Sequence, residues 1–327
     1  MRDIVEAIQR AKYLYLASHV APDGDTLGSM LGLYWALTKL GKSCELACAD
    51  PLPRIYEFLP GSDLVSSQPP WEEELIISID ASDQARLGAL YVPEVFQRVV
   101  VINIDHHITN EYFGDLNLVD SESAATAQLI LRLVHALEIS LDERIATCLL
   151  TGLADDTQCF RIASTTPESL RDGAELMAAG AKLANIVDRL FNTRSLSGLA
   201  LWGEILRTLR IEEGIVWVWD TLQVQEKVDA SLGESRGIVN LLAGVGEAEV
   251  AIVFKEREEN FVEVSMRSGR GVDISLVALH FGGGGHPRAA GCGVSGMPHE
   301  VERAVLAQIK KLLAEAKTSE REEALKV

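Results

Sequence analysis

The chain has 327 residues, of which 47% are apolar and 24% charged, and its formal net charge is −18. That length suggests about two domains, each able to bury a core, and the apolar share excludes a mostly disordered chain. The negative charge excludes non-specific binding of long duplex nucleic acid, which needs a basic footprint, but leaves room for a short anionic ligand held by local cations or metal ions.

Over residues 1–12, Ile4, Val5, Ile8 and Ala11 fall on one helical face. YLYLAS (13–18) predicts a buried strand, and 26–40 a helix with Leu27, Leu31 and Trp35 in step and Gly41 as its C-cap. SCELACA (43–49) predicts a second strand. LIISI (75–79) and VVVINI (99–104) are apolar runs without polar alternation, as in a parallel sheet covered on both faces. Helical periodicity returns over 123–138 and 142–153. Strands alternating with helices predict a doubly wound α/β domain. Residues 165–210 read as mainly helical. Strand patterns at 215–220, 248–256 and 261–268, with helices near 234–245, 273–280 and 298–316, predict a second, smaller α/β domain with a mixed sheet. The expected division is 1–190 and 212–316, with a connector over 191–211, a flexible polar tail over 317–327 and an active-site cleft between the domains.

Cys44, Cys48, Cys148, Cys159 and Cys292 have no spacing of a disulfide framework and read as reduced apolar side chains. Asp3 and Glu6 stand where a secretion signal carries positive charge, and the apolar N-terminal stretch is too short to span a membrane, so a cytoplasmic protein without a membrane partner is expected.

Three of the apolar strands run directly into polar ligand types. The first ends at His19, followed by Asp23 and Asp25; LIISI ends at Asp80; VVVINI ends at Asp105, His106 and His107. An isolated Asp at a strand end is ordinarily a cap or turn residue. Three such ends together are different, because open α/β sheets collect ligands outside the carboxyl ends of their strands. Carboxylates gathered there repel one another unless cations sit between them. A pair of divalent ions is the simplest resolution, and Asp/His ligation without thiolate favours Mn²⁺ or Mg²⁺ over structural zinc. Such a pair suits in-line phosphoryl displacement. Gly24 and Gly28 are expected to let the chain turn tightly between ligands and helix, Pro22 to hold Ala21 extended, and Thr26 to cap the helix.

HVAPDGDTLGS, IISIDASD, VINIDHH and LADDTQCFR resemble, in order, the four motifs of the DHH phosphoesterase superfamily. FGGGGHPRAAG, preceded by VEVSMRS, resembles the DHH-associated C-terminal domain. Within the superfamily the chain is most similar to the nanoRNase/pAp phosphatases, and the resemblance implies hydrolysis of short single-stranded oligoribonucleotides and of 3′-phosphoadenosine 5′-phosphate (pAp) with two Mn²⁺. By motif position it implies that His19 and Asp23 hold the first metal, Asp25, His106 and Asp156 the second, and that Asp80 bridges them. Asp155 is the near neighbour of the fourth-motif ligand. His107 would face the scissile phosphate, and Asp105 would orient a ligating histidine. Two departures concern Gln158, where glycine is common, and ATAQ (125–128), where a Ser-Thr-Ala-Glu type of sequence is frequent; neither removes a ligand.

The glycine run 282–285 reads as a loop that presents N–H groups to an anion, with Gly283, Gly284, Gly285, His286 and Arg288 as substrate contacts and Arg267 as a phosphate clamp. A phosphodiesterase for cyclic or linear dinucleotides, such as cyclic di-AMP or pApA, is the alternative within the same chemistry. A non-catalytic nucleotide sensor is the alternative from another class, disfavoured because every expected Asp and His position is filled. A pyrophosphatase would carry a Lys/Arg-rich clamp in place of GGGGH. A processive exonuclease would need further basic domains. The long apolar helices leave room for a homodimer. Trp217 and Trp219 alternate with valines and read as core, and Asp83 as a cap.

Overall fold

A computed structural model describes residues 1–70, 73–230, 233–269 and 271–324. The chain divides into Met1–Thr193 and Arg194–Val327. In the first unit, α1 (Arg2–Arg10) leads into β1 (Tyr13–Ser18), α2 (Gly24–Lys39), β2 (Ser43–Ala47) and β3 (Leu75–Ile79). There follow α3 (Pro93–Phe96), β4 (Val100–Asp105), β5 (Leu116–Val119), α4 (Thr126–Ala136), α5 (Glu143–Asp156), α6 (Pro167–Ala178) and α7 (Leu183–Val187). The five strands form a parallel sheet in the order β2-β1-β3-β4-β5. All five residues of the central β3 are buried, which explains its unbroken apolar sequence. One face packs Leu14, Leu16, Ile77, Ile79, Ile102 and Ile104 against the helices α1, α2, α4 and α5. The other packs Tyr15, Ala17, Ile76 and Val101 under Leu87, Leu90, Val95 and Phe96. Helical layers on both faces make the unit doubly wound.

The second unit contains α8 (Leu196–Leu206), β6 (Arg210–Glu212), β7 (Ile215–Asp220), α9 (Leu222–Lys227), α10 (Ile238–Leu242), β8 (Val250–Glu258) and β9 (Phe261–Ser268). It ends with α11 (Ser275–His280), β10 (Gly284–His286), β11 (Ala289–Ser295) and α12 (Pro298–Ala324). Its sheet runs β10-β11-β9-β8-β7-β6 and is mixed: β7 and β8 are parallel and the other pairs antiparallel. Ile252, Phe254, Val264 and Met266 face Val277, Val305 and Ile309, whereas Val216, Val218, Ala251 and Val253 face Leu201, Ile205, Ile238 and Leu242. Trp217 is buried, and Trp219 stacks on Phe254 at 4.8 Å, so both tryptophans serve the core.

Several details differ from the sequence expectations. Leu201 and Ile205, within the stretch expected as a connector, are part of a core of the second unit. The segment expected as a tail is helical as far as Ala324, because nothing between 317 and 324 breaks a helix; residues 325–327 lie outside the described residues. Strands β5, β6, β10 and β11 are additional, and each is short, half-exposed or glycine-bearing.

Candidate metal centre

His19 directly follows β1, Asp80 follows β3, and Asp105 ends β4 with His106 and His107 behind it. These are neighbouring parallel strands, and the order of the sheet reverses between β1 and β3, where a crevice opens outside the carboxyl ends. Asp80 leaves the sheet with φ +62°, a left-handed conformation that a non-glycine residue adopts at a cost.

Two helices carry the remaining acids. Asp23 is the N-cap of α2 and accepts from the N–H groups of Asp25 and Thr26. The cap is therefore Asp23, not Thr26, and the helix starts at Gly24. Gly24 and Gly28 lie inside this helix, not in a turn: a Cβ on Gly24 would overlap the Asp155 carboxylate, and one on Gly28 the Cys148 carbonyl. A Cβ on Gly152 would lie 2.8 Å from Asp25 Oδ1. The glycines thus let α2 and α5 cross closely, and that crossing brings the acids at the C-terminal end of α5 to those at the start of α2. Ala21 is not extended but left-handed, at φ +52°, and its N–H donates to Asp50 Oδ2 at 2.6 Å.

The two acids of the fourth motif take different partners. Asp155 Oδ2 accepts from Gly24 N–H and from the Tyr56 hydroxyl, each at 2.8 Å. Asp156 Oδ2 lies 3.1 Å from His106 Nε2. Gln158 has φ +47°, a left-handed conformation that glycine adopts most readily.

Within the first unit, three groups of side chains among the described residues each place their ligand atoms within 4.8 Å of one another: His19, Asp23 and Asp80; Asp25, Asp80 and His106; and Asp80, Asp105 and His107. Asp80 is common to all three, and its two oxygens face different ways. Oδ2 is 3.4 Å from His19 Nε2, and Oδ1 is 3.7 Å from His106 Nε2. The carbonyls of Val20 and Ser123 accept from Nδ1–H of His19 (2.6 Å) and His106 (3.2 Å), which leaves each Nε2 directed at the carboxylates. Thr26 Oγ1 lies 2.7 Å from Asp80 Oδ2 and 3.0 Å from Asp23 Oδ1, and it also contacts His19 Nε2.

Burial, reinforced by Asp80 and Asp156, pushes the Asp25 carboxyl well above its ordinary range. Burial and Asp23 do the same to Asp155, and burial raises Asp156. Burial alone would raise Asp80 too, but His19, His107 and His106 outweigh it and hold its carboxyl low. Burial works against a charged His106, yet Asp156, Asp25 and Asp80 raise its pKa well above the usual value. So many acids, set mainly against imidazoles, form a site short of positive charge, and its oxygen and imidazole donors fit divalent cations.

Asp105 meets a different histidine from the ligand it was expected to orient. His107 Nδ1–H donates to its Oδ1 at 2.7 Å, while His106 rests on the Ser123 carbonyl. Asn110 Nδ2 donates to Asp105 Oδ2 at 2.6 Å and contacts Asn103 Oδ1 at 2.9 Å, so the Asp105–His107 pair is tied to the interior of β4. Asp83 caps the 3₁₀ segment that follows it, accepting from Arg86 N–H at 3.1 Å.

In the second unit the glycine run is not wholly a loop, because Gly284 and Gly285 start an edge strand. A Cβ on Gly283 would overlap the Gly291 carbonyl, and one on Gly285 would lie 2.6 Å from the Ala289 carbonyl. The glycines let β10 pass close over β11. His286 pairs with Ala289, which pairs with Arg267, so His286 and Arg267 share one sheet face across a small residue. Arg267 Nε donates to Asn240 Oδ1 at 3.0 Å on α10. Arg288 is exposed, and its Nε reaches the Ser268 carbonyl at 3.4 Å.

Thr126, Tyr56, Asn110 and Ser123 are site neighbours that the sequence reading did not single out. Only Thr126 left a trace there, as part of the unusual ATAQ. Among the described residues, no helix is long and apolar enough to cross a membrane.

Residues 14–153 match the DHH family N-terminal domain, and residues 220–315 the DHHA1 domain. The chain is 41% identical to the bifunctional oligoribonuclease and PAP phosphatase NrnA of Thermus thermophilus, over 91% of this chain and 89% of that protein. It is 27% identical to the protein of the same description from Bacillus subtilis, over 96% and 98%. A crystal structure of an exopolyphosphatase-related protein from Bacteroides fragilis superposes with a TM-score of 0.85 at 26% identity, covering 96% of this chain and 97% of that one. With both domain models matched in order and this likeness running along nearly its whole length, the chain belongs to the DHH phosphoesterases, in the family of the bifunctional oligoribonucleases and PAP phosphatases.

Proposed function

We propose that the chain hydrolyses short oligoribonucleotides to mononucleotides, and pAp to AMP and phosphate, with two Mn²⁺ ions. The observation that carries this reading is the pair of triads sharing Asp80, each of whose oxygens faces one of them. His19, Asp23 and Asp80 would hold one ion, and Asp25, Asp80, His106 and Asp156 the other. When bound, such a pair activates water as the nucleophile and offsets charge growing on the phosphoryl oxygens. In the overall reaction water adds to phosphorus, the ester P–O bond breaks, and the leaving oxygen takes up a proton. His107 would meet the scissile phosphate, with Asp105 fixing its ring and keeping a proton at Nδ1. Asp155 would serve as a positioning residue, its Oδ2 tying the start of α2 at Gly24 N–H to the Tyr56 hydroxyl.

Arg267, His286, Arg288 and the glycine strand would serve as the nucleotide-gripping surface of the second unit. The shared face of Arg267 and His286 supports that assignment. The net charge of −18 favours short substrates over long nucleic acid. Free cysteines at Cys44, Cys48, Cys148, Cys159 and Cys292 suit a reducing, cytoplasmic setting.

A product-resolved assay with Mn²⁺ tests the proposal by comparing pAp, pApA, a three- to five-nucleotide RNA, cyclic di-AMP and pyrophosphate. Release of mononucleotides from RNA and of phosphate from pAp is expected. Turnover confined to dinucleotides, or binding of pAp without phosphate release, would contradict it.

A further inference from the structure

The triad of Asp25, Asp80 and His106 rests on one short stretch of chain, Ser123–Ala127. Helix α4 begins with Ala125 at its N-cap, a residue without a side-chain acceptor, so the N–H groups of the first turn need partners from elsewhere. Asp25 provides them, accepting from Thr126 N–H through Oδ2 at 2.6 Å and from Ala127 N–H through Oδ1 at 2.9 Å. The Thr126 hydroxyl donates to Asp80 Oδ1 at 2.8 Å, the oxygen that faces His106. The Ser123 carbonyl accepts from His106 Nδ1–H at 3.2 Å. Thr126, Asp25, Asp80 and His106 are all buried, so no solvent competes for these bonds. Gln128 closes the stretch by accepting from Ala124 N–H at 2.8 Å.

We infer that Thr126 is a positioning residue for one of the two metal ions: its hydroxyl sets the rotation of the Asp80 carboxylate while its N–H fixes Asp25. The inference rests on the two-ion reading above. Thr126 itself ligates nothing. Its hydroxyl occupies one lone pair of Asp80 Oδ1 and so leaves that oxygen a defined direction in which to receive an ion. His19 and Asp23 have no bond to this stretch among those described, and Asp80 Oδ2, the oxygen that faces His19, takes its hydroxyl from Thr26 at 2.7 Å instead, so the effect falls on the ion beside Asp25 and His106.

The test is a titration of the metal-free full-length chain with Mn²⁺ alone, followed by calorimetry and by electron paramagnetic resonance, on the parent, Thr126→Val and Thr126→Ser. The parent is expected to bind two ions with a spin-coupled signal. Thr126→Val, which keeps the shape and deletes the hydroxyl, is expected to bind one ion as the parent does and the other about 10–100-fold more weakly, with an isolated-Mn²⁺ signal between the two binding steps. Thr126→Ser, which restores the hydroxyl, is expected to recover the second ion. Two parent-like binding steps in Thr126→Val would overturn the inference alone, and so would a Thr126→Ser variant as impaired as the valine. A parent that binds fewer than two ions would overturn the two-ion reading together with the inference.

Discussion

The carboxyl-end crevice of the first unit and the β10–β9 face of the second solve opposite problems. In the first, Asp25, Asp80, Asp105 and His106 are buried, and each has hydrogen-bond partners that limit its movement. In the second, His286 and Arg267 are half-buried and Arg288 exposed, on a strand whose glycines give little side-chain packing. Bond-making chemistry depends on fixed geometry in a dry site, whereas gripping a nucleotide needs reachable donors. The two regions should therefore fail in different ways when altered.

The largest effect is expected from Asp80→Ala, which removes the carboxylate common to the triads. A fall in kcat of about 10³-fold or more, with loss of bound metal, is expected from kinetics and metal analysis, and chelation followed by Mn²⁺ should abolish and restore activity in the parent. Near-normal turnover would break the bridging role. His286→Ala should instead act mainly on KM, by about 1–3 kcal/mol, with metal content unchanged. A collapse of metal binding in that variant would erase the distinction between the regions. Gly28→Ala should leave substrate binding alone but lower stability by about 1–3 kcal/mol, read as a shift in Tm, because its methyl would meet the Cys148 carbonyl where α2 crosses α5.

The smallest effect lies on the second sheet. Burial would raise the Glu263 carboxyl, but Lys255 at 2.7 Å and Arg257 at 2.6 Å outweigh it and hold it at about 2. A pKa lowered by folding contributes stability above the ordinary carboxylate range, and the contribution is lost as pH falls toward about 2. The side chain is 37% exposed, so solvent screening limits the contribution to about 0.5–1 kcal/mol. Acid unfolding of Glu263→Gln should show that much less dependence on pH below 4.5, the carboxyl's ordinary value.

Apolar runs that stop abruptly at Asp or His made the sheet of the first unit and its polar rim legible in the sequence, since a buried strand and its exit differ sharply in residue type. Asn110, Ser123 and Thr126 were not legible, because each acts through a partner brought near only by the tertiary fold. Gly28 was misread for a related reason. A glycine in sequence shows freedom of the backbone, while its use here is the absence of a side chain between two helices. Strand β10 escaped notice because its glycines weaken strand propensity, and only the close approach of β11 requires them.

The most direct test of the account is anomalous diffraction from crystals of the Mn²⁺-loaded chain at the manganese edge. Two peaks flanking Asp80, about 3.5–4 Å apart, are expected, one beside His19 and Asp23 and the other beside Asp25 and His106. A single peak, or peaks remote from Asp80, would contradict it.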